Sequence, residues 1–198
     1  MTQTTHPQPS AGLDDRIRAI EAYLDTTADE RLDDYREFLR IPSISTLSEN
    51  QLDVRAAADF VADHLRAAGI EHVEVSRTKG HPIVYGDWLH AEGAPTVLVY
   101  GHYDVQPVDP LDLWDRPPFE PAVEAGRMYA RGAADDKGQV HFHLWALKAW
   151  HAVHGGLPVN LRFVFEGEEE SGSTNFDEWI VANQGRLAAE VIPHVQHS

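Results

Sequence analysis

The stretch Val97-Leu-Val-Tyr-Gly-His-Tyr-Asp-Val-Gln-Pro107 constrains this chain more than any other. Val97 to Tyr100 are consecutive apolar residues and read as a strand buried in a sheet, with Gly101 expected to turn the backbone out of it. His102 and Asp104 follow two residues apart, and in extended backbone residues i and i+2 point to the same face. A ring nitrogen and a carboxylate therefore leave the end of a core strand side by side, where open α/β sheets place their ligands. Alone, such a pair is more often a structural hydrogen bond than a site, so its meaning depends on the motifs that follow.

Two further motifs stand at the ends of expected elements. Arg131-Gly-Ala-Ala-Asp-Asp-Lys-Gly138 puts two carboxylates between a strand and a helix N-terminus. N-capping explains one Asp there cheaply, and two less comfortably. Phe165-Glu-Gly-Glu-Glu-Glu-Ser-Gly-Ser173 follows the apolar run Leu161-Arg-Phe-Val-Phe165, so its acids begin at a sheet edge rather than in a linker. Acidic runs are usually solvated faces, but a hydrolase with two metals needs carboxylates to bridge and ligate the cations. It also needs a separate one to take a proton from water. Adjacent Glu169 and Glu170 suit that division, because neighbouring side chains diverge. With no Cys in the sequence, any metal must be held by His and carboxylates.

The remaining pattern is α/β. Helices are expected over 14–24, 29–39, 51–68, 137–154 and 175–184, and strands over 72–76, 81–85, 97–100 and 160–166. A hairpin is expected over 123–130, and residues 107–121 form a loop with Trp114 and Phe119 as buried anchors. Residues 1–13 read as a disordered tail and 14–198 as one unit. The histidines His141, His143, His151 and His154 fall on the 137–154 helix and read as packing or surface residues. The formal charge of −16 argues against nucleic acid. No apolar run has membrane-spanning length and no signal-peptide pattern opens the chain, so a cytoplasmic location is the expectation.

The strings GHYDVQPVDPLDLWDRPPFEP (101–121), GRMYARGAADDKGQ (126–139) and LPVNLRFVFEGEEESGS (157–173) resemble the dinuclear zinc metallopeptidases. That family, M-twenty in the peptidase catalogue, includes carnosinase-like dipeptidases, aminoacylases and glutamate carboxypeptidases; its dipeptidase branch matches best. The resemblance implies a zinc-exopeptidase catalytic domain with a mixed sheet flanked by helices. It also implies hydrolysis of dipeptides or related N-acyl amino acids through a metal-bridging water, and two divalent ions, zinc by family expectation, with manganese or cobalt also suited to such ligands. Carried over by residue, His102 and Glu170 are terminal metal ligands, Asp135 bridges both metals, Asp104 orients the His102 ring and Glu169 is the general base. Asp136 is structural, and Glu166 and Glu168 carry no family role.

The likeness fades after Ile192. Family members continue as an apolar strand ending in an Asp ligand, then insert a lid domain used for dimerisation and return with a last His ligand. Here Pro193-His-Val-Gln-His-Ser198 follows, and Pro193 is expected to interrupt the strand. The expectation is an N-terminal part of the catalytic domain without the lid. Its alternative function is an inactive truncated fragment, unless His194 or His197 replaces the missing Asp.

Overall fold

The computed structural model describes residues 12–193. Residues 1–11 of the expected tail, and His194 and His197, lie outside them; Leu13 already belongs to a helix. The helices α1 (Leu13–Thr26), α2 (Ala28–Arg40) and α3 (Gln51–Ala67) come first, followed by the strands β1 (Glu71–Ser76), β2 (Ile83–Trp88) and β3 (Thr96–His102). A separate hairpin of β4 (Ala122–Glu124) and β5 (Arg127–Tyr129) precedes α4 (Lys137–His154), β6 (Asn160–Glu166) and α5 (Thr174–Asn183).

The sheet has the order β1-β2-β6-β3. β1, β2 and β6 pair antiparallel, and β3 pairs parallel to β6, a connection that needs the crossover α4 supplies. Alternation along β6 divides the core between the two faces. Phe163 and Phe165 join Val61, Leu65, Val140 and Leu144 on the side of α3 and α4, while Val164 joins Leu98, Phe176 and Trp179 on the side of α5. The result is the mixed sheet between helices that the family resemblance implies. Truncating the fully buried Phe165 to Ala is expected to cost ~3–5 kcal/mol.

Several boundaries differ from the sequence reading for local reasons. β2 starts at Ile83 rather than at residue 81, because Pro82 offers no N–H to a ladder, and it continues to Trp88 against β6. α3 stops in a Schellman motif: Ile70 N–H donates to Leu65 O (3.0 Å), Gly69 N–H donates to Arg66 O (3.0 Å), and Gly69 has φ +80°. In the 107–121 loop the buried residue is Pro118, whereas Trp114 and Phe119 are only half-buried. Trp114 spans the boundary with water, its Nε1 donating to Val108 O (2.9 Å) while the Arg131 guanidinium lies 5.2 Å from its ring.

β3 is an edge strand of this sheet. Beyond it lies a single parallel bridge, Val97 to Val191, with Leu98 N–H donating to Val191 O at 2.9 Å and Val191 N–H to Thr96 O at 3.2 Å. The next donor in that register is residue 193, a proline, so the ladder cannot continue through it. Among the described residues no helix is long and apolar enough to cross a membrane.

Candidate metal centre

β3 and β6 run parallel in register through His102 and Glu166, so both strands deliver their C-terminal residues to the same end of the sheet. Contrary to the expectation that Gly101 turns the chain out of the strand, it remains in β3 opposite Phe165. Glycine is required there by close approach, since a Cβ would stand 2.8 Å from Asp136 Oδ2. That carboxylate also departs from the capping expectation. Asp136 holds the N-cap position of α4 but makes no side-chain cap; it accepts instead from His102 N–H at 3.0 Å. The α4 N-terminus is thereby fastened to the end of β3, and Asp135 is carried to the site.

His102 is buried, and its two ring nitrogens face different carboxylates. Nδ1 lies 3.3 Å from Asp104 Oδ1, and Nε2 lies 3.2 Å from Asp135 Oδ1 and 4.0 Å from Glu169 Oε2. Burial disfavours the imidazolium, but hydrogen bonding to Asp104 and the charges of Asp104, Asp136 and Glu169 outweigh it, pushing the pKa up to about 9. Asp104 is fully buried and serves twice, because its Oδ2 accepts from Glu170 N–H at 3.1 Å. One carboxylate thus connects the His102 ring with the short turn Glu169–Ser171 that follows β6. In that turn Glu170 accepts from Gln106 Nε2, and burial raises its pKa, with the charges of Asp135 and Glu169 adding to the shift.

His102, Asp135 and Glu170 each offer one ligand atom, and these atoms lie within 4.8 Å of one another; among the described residues no other group of three His, Asp or Glu converges so closely. A cation bound at about 2.0–2.2 Å to each donor requires them within ~4.4 Å of one another. The Asp135 side chain, 57% exposed, has the freedom for that adjustment. Once its ring gives up the proton, His102 with two carboxylates is a donor set for zinc and similar divalent ions, so the residues fit a metal. Glu169, whose side chain is 45% exposed, stands beside the group. An apolar crevice of about 610 Å³ between α1, α2 and α4 is lined by Leu32, Tyr35, Phe142 and Trp145, and by none of these site residues.

Three neighbouring residues were not assigned a part by sequence reasoning. Gln106 lies beyond the two-residue spacing that identifies His102 and Asp104. Lys137 is fully buried and donates to Phe38 O (3.0 Å) and Ile41 O (2.6 Å), tying the end of α2 to the start of α4. Burial pushes its ammonium down to about 7, against the attraction of Asp104 and Asp53. A cation in the first turn of a helix opposes the macrodipole, which was a readable signal that it answers to something else. Glu166 accepts from Tyr100 (2.7 Å) and Ser173 (3.0 Å), and burial raises its carboxyl to about 7.

The model of "Peptidase family M20/M25/M40" matches residues 98–196, half of the chain, from β3 through the acidic turn and beyond. The chain belongs to this metallopeptidase family. The Cys-Gly metallodipeptidase DUG1 of Candida albicans is 35% identical over 156 residues, 72% of this chain and 32% of that protein. The Beta-Ala-His dipeptidase of Mus musculus is 32% identical over 184 residues, 85% of this chain and 37% of that protein. The crystal structure of human carnosine dipeptidase 1 superposes with a TM-score of 0.83 at 28% identity, covering 93% of this chain and 41% of that one. The metallopeptidase chain thus lies on the dipeptidase branch, and it spans about a third of the length of the curated relatives it matches.

Proposed function

We propose that this chain provides metal-holding residues of a metal-dependent dipeptidase, with His102, Asp135 and Glu170 as ligands and Glu169 as the general base. The observation that carries this reading is the convergence of the three donors at the shared end of β3 and β6. On this reading Asp135 would be the carboxylate shared by two divalent ions, zinc by family expectation, and Asp104 would hold the His102 ring from behind, its Oδ1 lying 3.3 Å from Nδ1. When bound, such cations lower the pKa of water and polarise the scissile carbonyl. Glu169 accepts the proton of the attacking water and returns it to the leaving amine, the division of labour that its exposure beside the ligands allows. Cys-Gly and β-Ala-His, named by the relatives, are the first substrates to try.

The test is hydrolysis of these dipeptides by the zinc-loaded chain and by Glu169→Gln. The proposal expects turnover that Glu169→Gln abolishes while zinc uptake is retained. A second reading, a chain that binds metal but does not hydrolyse, is favoured by one observation: the described residues bring together a single ligand triad. Zinc bound in both proteins with turnover in neither would establish it.

A further inference from the structure

We propose that Glu168 is a positioning residue for the metal cluster, locking the turn that carries Glu169 and Glu170 against two other segments of the chain. This rests on the cation-binding reading of His102, Asp135 and Glu170. Glu168 stands in the middle of an acidic run, where a solvated side chain is the default. Instead it is only 7% exposed, while its neighbour Glu169 reaches into solvent.

Among the described residues the Glu168 carboxylate accepts hydrogen bonds from two segments of the chain. Oε1 accepts from His81 N–H (2.8 Å) and Asn175 Nδ2 (2.9 Å), and Oε2 accepts from Asn175 N–H (3.1 Å) and Nδ2 (3.0 Å). Its own carbonyl accepts from Ser171 N–H (3.0 Å) and Ser173 N–H (2.8 Å), which close the turn around Glu169 and Glu170. Space for the carboxylate is reserved on the facing loop, because a Cβ on Gly80 would fall 1.7 Å from Oε1. The chain of bonds then returns to the site: Tyr103 OH donates to Pro82 O, next to His81, and Tyr103 N–H donates to Glu166 O at 3.0 Å. Tyr103 is the residue between His102 and Asp104. Glu168 therefore ties the turn bearing one ligand to the strand end bearing another, and acts through Glu170 rather than on the cation.

Glu168→Gln retains the shape but replaces an acceptor with an NH2 group that must face a donor. The experiment is a cobalt(II) titration of the full chain followed by visible absorption, with folding checked by far-UV circular dichroism. The expected result is cobalt affinity weakened ~10–100-fold, the range for partners that orient ligands, with a changed spectrum per bound cobalt. A wild-type spectrum per bound cobalt in Glu168→Gln overturns the inference, whether affinity is also wild-type or only the folded fraction has dropped, as a purely structural loss would give. If Glu168→Gln does not fold, Gly80→Ala decides: it pushes the carboxylate from the facing loop, and an unaltered spectrum again overturns the inference. A wild-type chain that takes up no cobalt is a different failure, overturning the cation reading and this inference with it.

Discussion

His102 and His141 are buried to the same degree, 4% and 5% exposed, yet their chemistry is pushed in opposite directions. His102 ends a strand among Asp104, Asp135 and Glu169, and its pKa rises to about 9. His141 lies on α4, stacked on Tyr35 with ring centroids 4.8 Å apart. Burial there drives its pKa down to about 3, with the charges of His64 and Arg31 adding to the effect. Its Nε2 has no hydrogen-bond partner among the described residues. Burial alone does not make a histidine functional. Its partners do, and these depend on whether the ring leaves the open end of a sheet or the side of a helix.

The sharpest way to break this comparison is to remove each ring in turn. His102→Ala should lose zinc affinity by more than the ~10–100-fold that ligand-orienting partners cost, while His141→Gln should bind zinc as the wild type does. Isothermal titration calorimetry of the three proteins measures the difference. Next in size is Asp104→Asn, which removes the negative charge 3.3 Å from the His102 ring while leaving one oxygen that can accept from Glu170 N–H. Zinc binding weakened ~10–100-fold is expected, measured in the same way.

A smaller effect concerns acid stability. The folded pKa of His141 is depressed, so the stability it contributes is present above the unfolded value near 6.5 and is lost as pH falls from there to about 3. The groups facing it are Arg31 and Tyr35 from α2 and His64 from α3. Urea unfolding between pH 4 and pH 7 should show wild-type stability falling more steeply than that of His141→Phe, by at most ~1.4 kcal/mol per pH unit. Equal slopes would remove the contrast between the two rings. The smallest effect is expected at Lys79→Ala, which breaks an exposed ion pair with Glu178. Stability within ~0.5 kcal/mol of wild type, and unchanged zinc binding, would show that surface charge on this acidic chain does not feed the centre.

Much of the fold was legible because the elements carry their own punctuation. α4 and β6 fall where residues 137–154 and 160–166 place them, since Gly155 ends one and an apolar run defines the other. The gathering of His102, Asp135, Glu169 and Glu170 was legible from motifs that stand at element ends, two of them after the core strands β3 and β6 and the third just before α4. Less visible were contacts between residues distant in sequence. The turn of Asp136 toward His102 N–H, the second bond of Asp104 and the burial of Glu168 all depend on how β3, β6 and α4 meet. Trp114 and Phe119 looked like anchors by size, but their loop lies on the surface, where an aromatic ring buries only one side.

Metal content tests the central claim most directly. The chain is loaded with excess zinc, passed through gel filtration and analysed by elemental mass spectrometry beside Glu170→Gln. At least one zinc retained per wild-type chain, and lost in Glu170→Gln, is the predicted result. Zinc absent from the wild type, or held equally by Glu170→Gln, would contradict a metal centre built on His102, Asp135 and Glu170.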